Sequence, residues 1–283
     1  MVITDKNLTR FRQWVLARGR VDGTADLYCS HLRKAADDPK GLTHRLVAGN
    51  LAPNTRHGIM AALRAWAAFA KDTALAETLG DIRLPPARRI HRKIPLDLEQ
   101  WRKMVRHLRT CPMRNEAVRQ VLLVMALRGL RCGDVLRLKR TEIRAALDSG
   151  KLPYEGKGRK RMEFAAAMIR GPLQALSEQP GKWERVRDLV SKSADPKVAS
   201  VRVWRAARAT AKEAGILHMN PHRYRHTFAT NFLAELKGDP NAIVKLQRFM
   251  GWENMTTAAR YVEEISSDEL DAIGAGMVGD LLE

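Results

Sequence analysis

Apolar side chains return every three or four positions at the start of the chain. In LTRFRQWVLARG, Leu8, Phe11, Trp14 and Val15 fall on one face of a helix. TADLYCSHLRKAADD predicts a second helix. PNTRHGIMAALRAWAAFAKD predicts a third, capped by Asn54 or Thr55, with Ile59, Leu63, Trp66 and Ala70 inward. The periodicity then stops. LGDIRLPPARRIHRKIPLDLEQW holds three prolines and the basic run Arg88, Arg89, His91, Arg92 and Lys93, so residues 81–96 read as an interdomain linker after a helical domain over 1–80.

Helical patterning resumes beyond it. Asp97 can cap LEQWRKMVRHLRT, and NEAVRQVLLVMALRG is a long apolar helix that stops at Gly129. CGDVLRLKRTEIRAAL continues as helix. In KLPYEGKGRKRMEFAAA the helical period fails, and Gly156 and Gly158 mark a turn between two short extended runs. Helix returns in SVRVWRAARATAKEAG, HRYRHTFATNFLAEL, AIVKLQRFMG and TTAARYVEE. The predicted fold is mostly α, with one small antiparallel β-hairpin in a second domain over 97–283.

Composition turns this outline toward a polyanion. The 283 residues are 45% hydrophobic, enough for sizeable cores, yet Lys and Arg number 50 against 31 acids, a net charge of +19. After Tyr261 come Glu263, Glu264, Asp268, Glu269, Asp271, Asp280 and Glu283, with no Lys or Arg. Residues 1–261 therefore carry nineteen plus those seven, about +26. Nucleic acid is the simplest partner for such a body; a solvated basic surface is the plain alternative. No run of 18 apolar residues exists to span a membrane, and MVITDKNLTRFRQW lacks a signal-peptide core. Cys29, Cys111 and Cys132 are an odd number without metal-ligand pairing, and read as reduced core thiols of a cytoplasmic protein, nucleoid-associated if prokaryotic.

The stretch PHRYRHTFAT sets His222, Arg223, Tyr224, Arg225 and His226 in a row at the head of an otherwise apolar helix. So much positive charge at one point calls for an anion. Three further motifs stand with it: LRGLRCGDVLRL, EGKGRKR and FMGWENMTTAARYVEE. Together they resemble the catalytic domain of the tyrosine recombinases, the phage integrase family. Arg131, with Asp134 three residues on, matches the first arginine box; Lys157 matches the β-turn lysine; His222, Arg225 and His226 match H-x-x-R-H. Gly251-Trp252 matches the G-H or G-W pair, and Tyr261, nine residues past Trp252, matches the nucleophile. The motifs run from about 97 to 265, more weakly over the third helix. Arg128 stands where the family pattern has Thr, and Trp252 where many members have His; an indole donates a hydrogen bond and cannot transfer a proton.

The resemblance implies roles that the chemistry makes intelligible. Two guanidiniums, Arg131 and Arg225, can clamp the non-bridging oxygens of a scissile phosphodiester without ever losing their protons. A tyrosine attacks because water would make cutting irreversible, and clustered cations lower the cost of the phenolate. The residues alone leave Tyr28, Tyr154, Tyr224 and Tyr261 in contention; the family spacing implies Tyr261, with Tyr224 in a packing position. Lys157 is implied as the acid that protonates the leaving 5′-oxygen, with Lys160 as runner-up or a phosphate contact. His222 shares the proton work, Asp134 orients Arg131, and His226 braces the site. Arg88, Arg89, Arg92 and Lys93 are expected on DNA phosphates. No carboxylate or His/Cys cluster suggests a metal, no GxxxxGK[ST] suggests ATP, and no cofactor is expected.

The function implied is site-specific DNA recombination by a compact two-domain enzyme, with no room for an arm-binding domain before the core-binding helices. A type IB topoisomerase and a non-catalytic DNA-binding protein are the alternatives. The tail SSDELDAIGAGMVGDLLE, residues 266–283, reads as a docking helix: Ser266 and Glu269 have capping-box spacing, and Leu270, Ile273, Met277 and Leu281 share a face. The family implies that it docks on a neighbouring copy, in a tetramer on double-stranded DNA.

Overall fold

The computed structural model describes residues 3–37, 46, 51–84, 95–155, 161–217 and 219–252. The chain divides into two compact units, residues 1–92 and 93–283. In the first, α1 (Asp5–Ala17) begins where the Thr4 hydroxyl accepts from the Asn7 N–H. It packs against α2 (Asp22–Asp37) and α3 (Pro53–Ala70). Leu8, Phe11 and Val15 are buried as the pattern predicts, and the Phe11 ring meets Trp66 edge-on at 5.3 Å.

One expectation fails here. Neither Asn54 nor Thr55 caps α3, because Pro53, with its fixed φ and no N–H to lose, already occupies the first turn; Ala52 is the cap and makes no side-chain bond. A short fourth helix, α4 (Thr73–Asp81), follows a left-handed Lys71, with Asp72 accepting from the Leu75 N–H at 3.0 Å. Of its residues Leu79 is the buried one, too little apolar repetition to announce a helix.

The second unit is built round one helix. It opens with α5 (Leu98–Thr110), capped by Asp97 as expected: the carboxylate accepts from the Gln100 N–H at 2.7 Å. Next comes α6 (Glu116–Arg128), capped by Asn115. Residues 117, 118, 120–126 and 128 of α6 are all buried, so no face of it is turned to water. Around it lie α5, α7 (Cys132–Arg137), α9 (Arg170–Ser177) with the 3₁₀ turn before it, α10 (Val186–Val190), α11 (Pro196–Glu213) and α12 (Pro221–Glu235). The chain then forms α13 (Ala242–Met250).

CGDVLRLKRTEIRAAL does not continue as one helix. It is split into α7 and α8 (Arg140–Ser149) at Leu138 and Lys139. There the backbone turns extended and pairs with the loop before α10: Arg140 N–H donates to Glu184 O at 2.8 Å and Val186 N–H to Leu138 O at 3.0 Å. The predicted hairpin is present as β1 (Lys151–Glu155) and β2 (Arg161–Ala165), antiparallel, with Leu152 opposite Phe164. Among the described residues no helix is long and apolar enough to cross a membrane. The three cysteines are free; Cys29 and Cys111 are buried and Cys132 is half-buried.

Candidate active site

The site begins where α6 ends. Gly129 takes φ +65°, the left-handed conformation that closes the helix, and its N–H donates to Met125 O at 2.9 Å. A Cβ here would lie 2.9 Å from Phe228 Cδ1 and 3.1 Å from Met250 Cε. Glycine is therefore required twice, by conformation and by space. Its missing side chain lets α12 and the end of α13 press against the turn that leads to Arg131.

Arg225 uses that closeness. Asn220 caps α12, its side-chain oxygen accepting from the His222 and Arg223 N–H groups at 3.1 and 3.2 Å. This fixes the first turn, and Arg225 falls on its buried side, 6% exposed. One guanidinium nitrogen donates to Gly129 O at 2.6 Å, another to Met250 O at 3.2 Å. Its Cζ also sits 5.3 Å from the centre of the Trp252 ring. One side chain thus gathers the turn before Arg131, the head of α12 and the Gly251-Trp252 pair. Trp252 is itself buried, and its backbone N–H donates to Gln247 O at 3.0 Å.

Arg131 is held differently. It stands just ahead of α7, with its side chain 35% exposed. Asp134, whose side chain is almost wholly buried, lies 3.7 Å from the Arg131 guanidinium and 2.5 Å from that of Arg137. The carboxylate faces Arg131 as the sequence implies, but shares itself with Arg137. Between them burial, with a smaller push from Asp134, drives the Cys132 thiol up to about 12, so it stays protonated. His222 is exposed one turn ahead of Arg225, and the His226 ring faces the Thr230 hydroxyl at 3.2 Å.

Tyr224 is excluded as a nucleophile. It is fully buried in the main core, and its hydroxyl finds no hydrogen-bond partner among the described residues. Burial, and less strongly Cys111, raises its pKa far above that of a free phenol. Lys157, Lys160 and Tyr261, the linker residues Arg88, Arg89, Arg92 and Lys93, and the tail from 266 lie outside the described residues.

Sequence reasoning passed over three participants. Thr227, fully buried, accepts from the Leu96 N–H at 3.0 Å and ties the start of the second unit to α12. Asn220 was legible as a cap, being an Asn just before a Pro. Arg128 reads in the sequence only as a departure from Thr. It is 4% exposed, and its guanidinium lies 4.1 Å from the Phe164 ring and 3.5 Å from the Phe249 ring. Two unchanging positive charges, tethered from neighbouring elements round one helix end, can hold a phosphate-like anion in fixed orientation.

Residues 95–267 match the model of the phage integrase family. Among curated proteins the chain is 28% identical over 211 residues to tyrosine recombinase XerA of Thermococcus kodakarensis, covering 72% of this chain and 69% of XerA. It is 26% identical over 155 residues to tyrosine recombinase XerC of Vibrio vulnificus, covering 50% of this chain and 45% of XerC. Solved structures with a similar fold include XerH site-specific recombinase bound to difH substrate, at TM-score 0.62 and 17% identity over 97% of this chain and 85% of that one. Another is the Tn1549 transposon integrase in complex with circular intermediate DNA, at TM-score 0.63 and 16% identity over 94% of this chain and 97% of that one.

Proposed function

The chain belongs to the phage integrase family, the tyrosine recombinases, and on that premise we propose that it is a site-specific DNA recombinase working through a covalent 3′-phosphotyrosine. The observation that carries this reading is the bonding of Arg225 to Gly129 O and Met250 O, which draws three of the four motifs to one place.

In the proposed cycle Arg131 and Arg225 grip the non-bridging oxygens of the scissile phosphate and stabilise the charge that builds there. The Tyr261 oxygen forms a bond to phosphorus as the bond to the 5′-oxygen breaks. The phenol's proton goes to a base for which His222 is the candidate, and Lys157 supplies the proton that makes the 5′-hydroxyl. Asp134 steadies Arg131, and His226 and Trp252 brace the other side. The phosphotyrosine retains the energy of the broken bond, so a 5′-hydroxyl from another strand can reverse the step without a nucleotide. The guanidiniums supply the charge stabilisation that a metal ion gives in other phosphoryl transfers. Residues 1–80 are the core-binding domain, and the basic linker over 81–96 lies on backbone phosphates.

A nicked suicide substrate, which loses its 5′-fragment after cleavage, tests this. The full chain should be trapped on the DNA, and Tyr261→Phe should bind equally well and trap nothing. An adduct that persists in Tyr261→Phe moves the chemistry to another residue. Relaxation of supercoils with no preferred sequence would make the protein a type IB topoisomerase. The acidic tail is proposed to dock on the basic body of a neighbouring copy, giving a head-to-tail tetramer on DNA. Truncation after Ser266 should leave trapping intact and abolish pairing of two sites. Recombination by the truncated chain would refute that docking.

A further inference from the structure

Arg128 and Arg225 both reach the last carbonyls of α13. The last carbonyls of a helix have no partners within it and carry the negative end of its dipole. Arg128 donates to Phe249 O at 2.8 Å, and Arg225 donates to Met250 O, the next carbonyl along. Two like charges drawn to neighbouring atoms would repel; here they share one negative helix terminus.

Two aromatic rings also lie against the Arg128 guanidinium. Phe164 of β2 lies on the guanidinium at 4.1 Å and Phe249 of α13 at 3.5 Å. Phe249 continues into an aromatic group with Phe228 at 5.6 Å and Phe232 at 4.7 Å, both on α12. One buried side chain at the end of α6 therefore contacts the second strand of the hairpin and the helix that precedes Gly251-Trp252. It does so three residues before Arg131.

We propose that Arg128 is a positioning residue for phosphodiester cleavage, setting the hairpin strand and the end of α13 in register with Arg131 and Arg225 through its contacts with the Phe164 and Phe249 rings and its bond to Phe249 O. It acts through geometry rather than charge, and touches no substrate. The inference rests on the recombinase reading above. Only a broad, forked cation fits the role: lysine brings the charge to a point and cannot meet two rings and a carbonyl with one planar group.

The test compares Arg128→Met, Arg128→Lys and Phe249→Leu in the full chain. Three quantities are measured: DNA affinity, the rate of covalent trapping at saturating suicide substrate, and the trapped fraction. Misplacing catalytic groups by about 1 Å costs on the order of 100-fold, so Arg128→Met should trap about 10- to 100-fold more slowly. Its affinity should stay within about threefold, because other cations hold the backbone. Arg128→Lys should be as slow as Arg128→Met, and Phe249→Leu should be slow with the charge untouched. Wild-type speed in Arg128→Lys would make the role electrostatic and overturn the proposal. A lower trapped fraction at an unchanged rate would make the role merely structural and overturn it equally. If Arg128→Met does not fold, the other two variants decide by the same criteria. A wild-type chain that never traps sinks the recombinase reading, and this inference with it; trapping by wild type and variants at one rate sinks the inference alone.

Discussion

Arg225 is held by carbonyls from two other elements and is almost fully buried, whereas Arg131 keeps a third of its side chain in solvent and faces a carboxylate on the helix it precedes. The first arrangement makes the guanidinium a rivet: without it the end of α6 and the end of α13 lose their shared donor. The second makes it a tool on a local mount. Two side chains offered for the same chemistry should therefore differ in what else their loss destroys.

The largest effect should come from Arg225→Ala. Loss of one preorganised donor group at a transition state costs roughly 3 kcal/mol, on the order of 100- to 1,000-fold in trapping rate. Stranding two carbonyls should cost a further 1–3 kcal/mol or so of fold stability. Arg131→Ala should slow trapping by a similar factor while changing unfolding free energy by less than about 0.5 kcal/mol. Denaturant melts of the two variants check the contrast, and equal stability losses would erase it. Gly129→Ala should come next, destabilising by about 1–3 kcal/mol, since its Cβ must displace Phe228 and Met250 and its φ is strained. Trapping by this variant should be slowed because Arg225 loses its purchase on Gly129 O; wild-type trapping would show that the contact is dispensable. The smallest effect belongs to Tyr224→Phe, which removes a buried hydroxyl without a hydrogen-bond partner among the described residues. It should be neutral or stabilising by up to about 1 kcal/mol, and trap at the wild-type rate.

What the sequence disclosed follows from range. The cap at Asp97, the burial of α6 and the stop at Gly129 depend on residues within a turn or two, and pattern is enough to see them. So is the strand pair, where the helical period fails between two short runs. The break at Leu138 was hidden because its hydrogen bonds go to residues 184–186, far along the chain. Arg128 was hidden for the same reason: its carbonyl partner is 121 residues away. The steric need for glycine at 129 comes from Phe228 and Met250, so only the C-cap half of its role was readable. The motifs identified the arginines, but not that one is buried and the other open.

The cluster of Phe164, Arg128 and Phe249 also constrains how this chain can have diverged. A threonine at 128, as in the family pattern, would leave two rings facing a gap that a guanidinium now fills. An arginine introduced opposite small side chains would bury a charge with nothing against its faces, at a cost of several kcal/mol or so. Neither intermediate is neutral, so the three positions form an epistatic set. The path of least loss brings the aromatic rings first and the arginine last. Once the arginine is in place, return to threonine is obstructed by the very residues that admitted it.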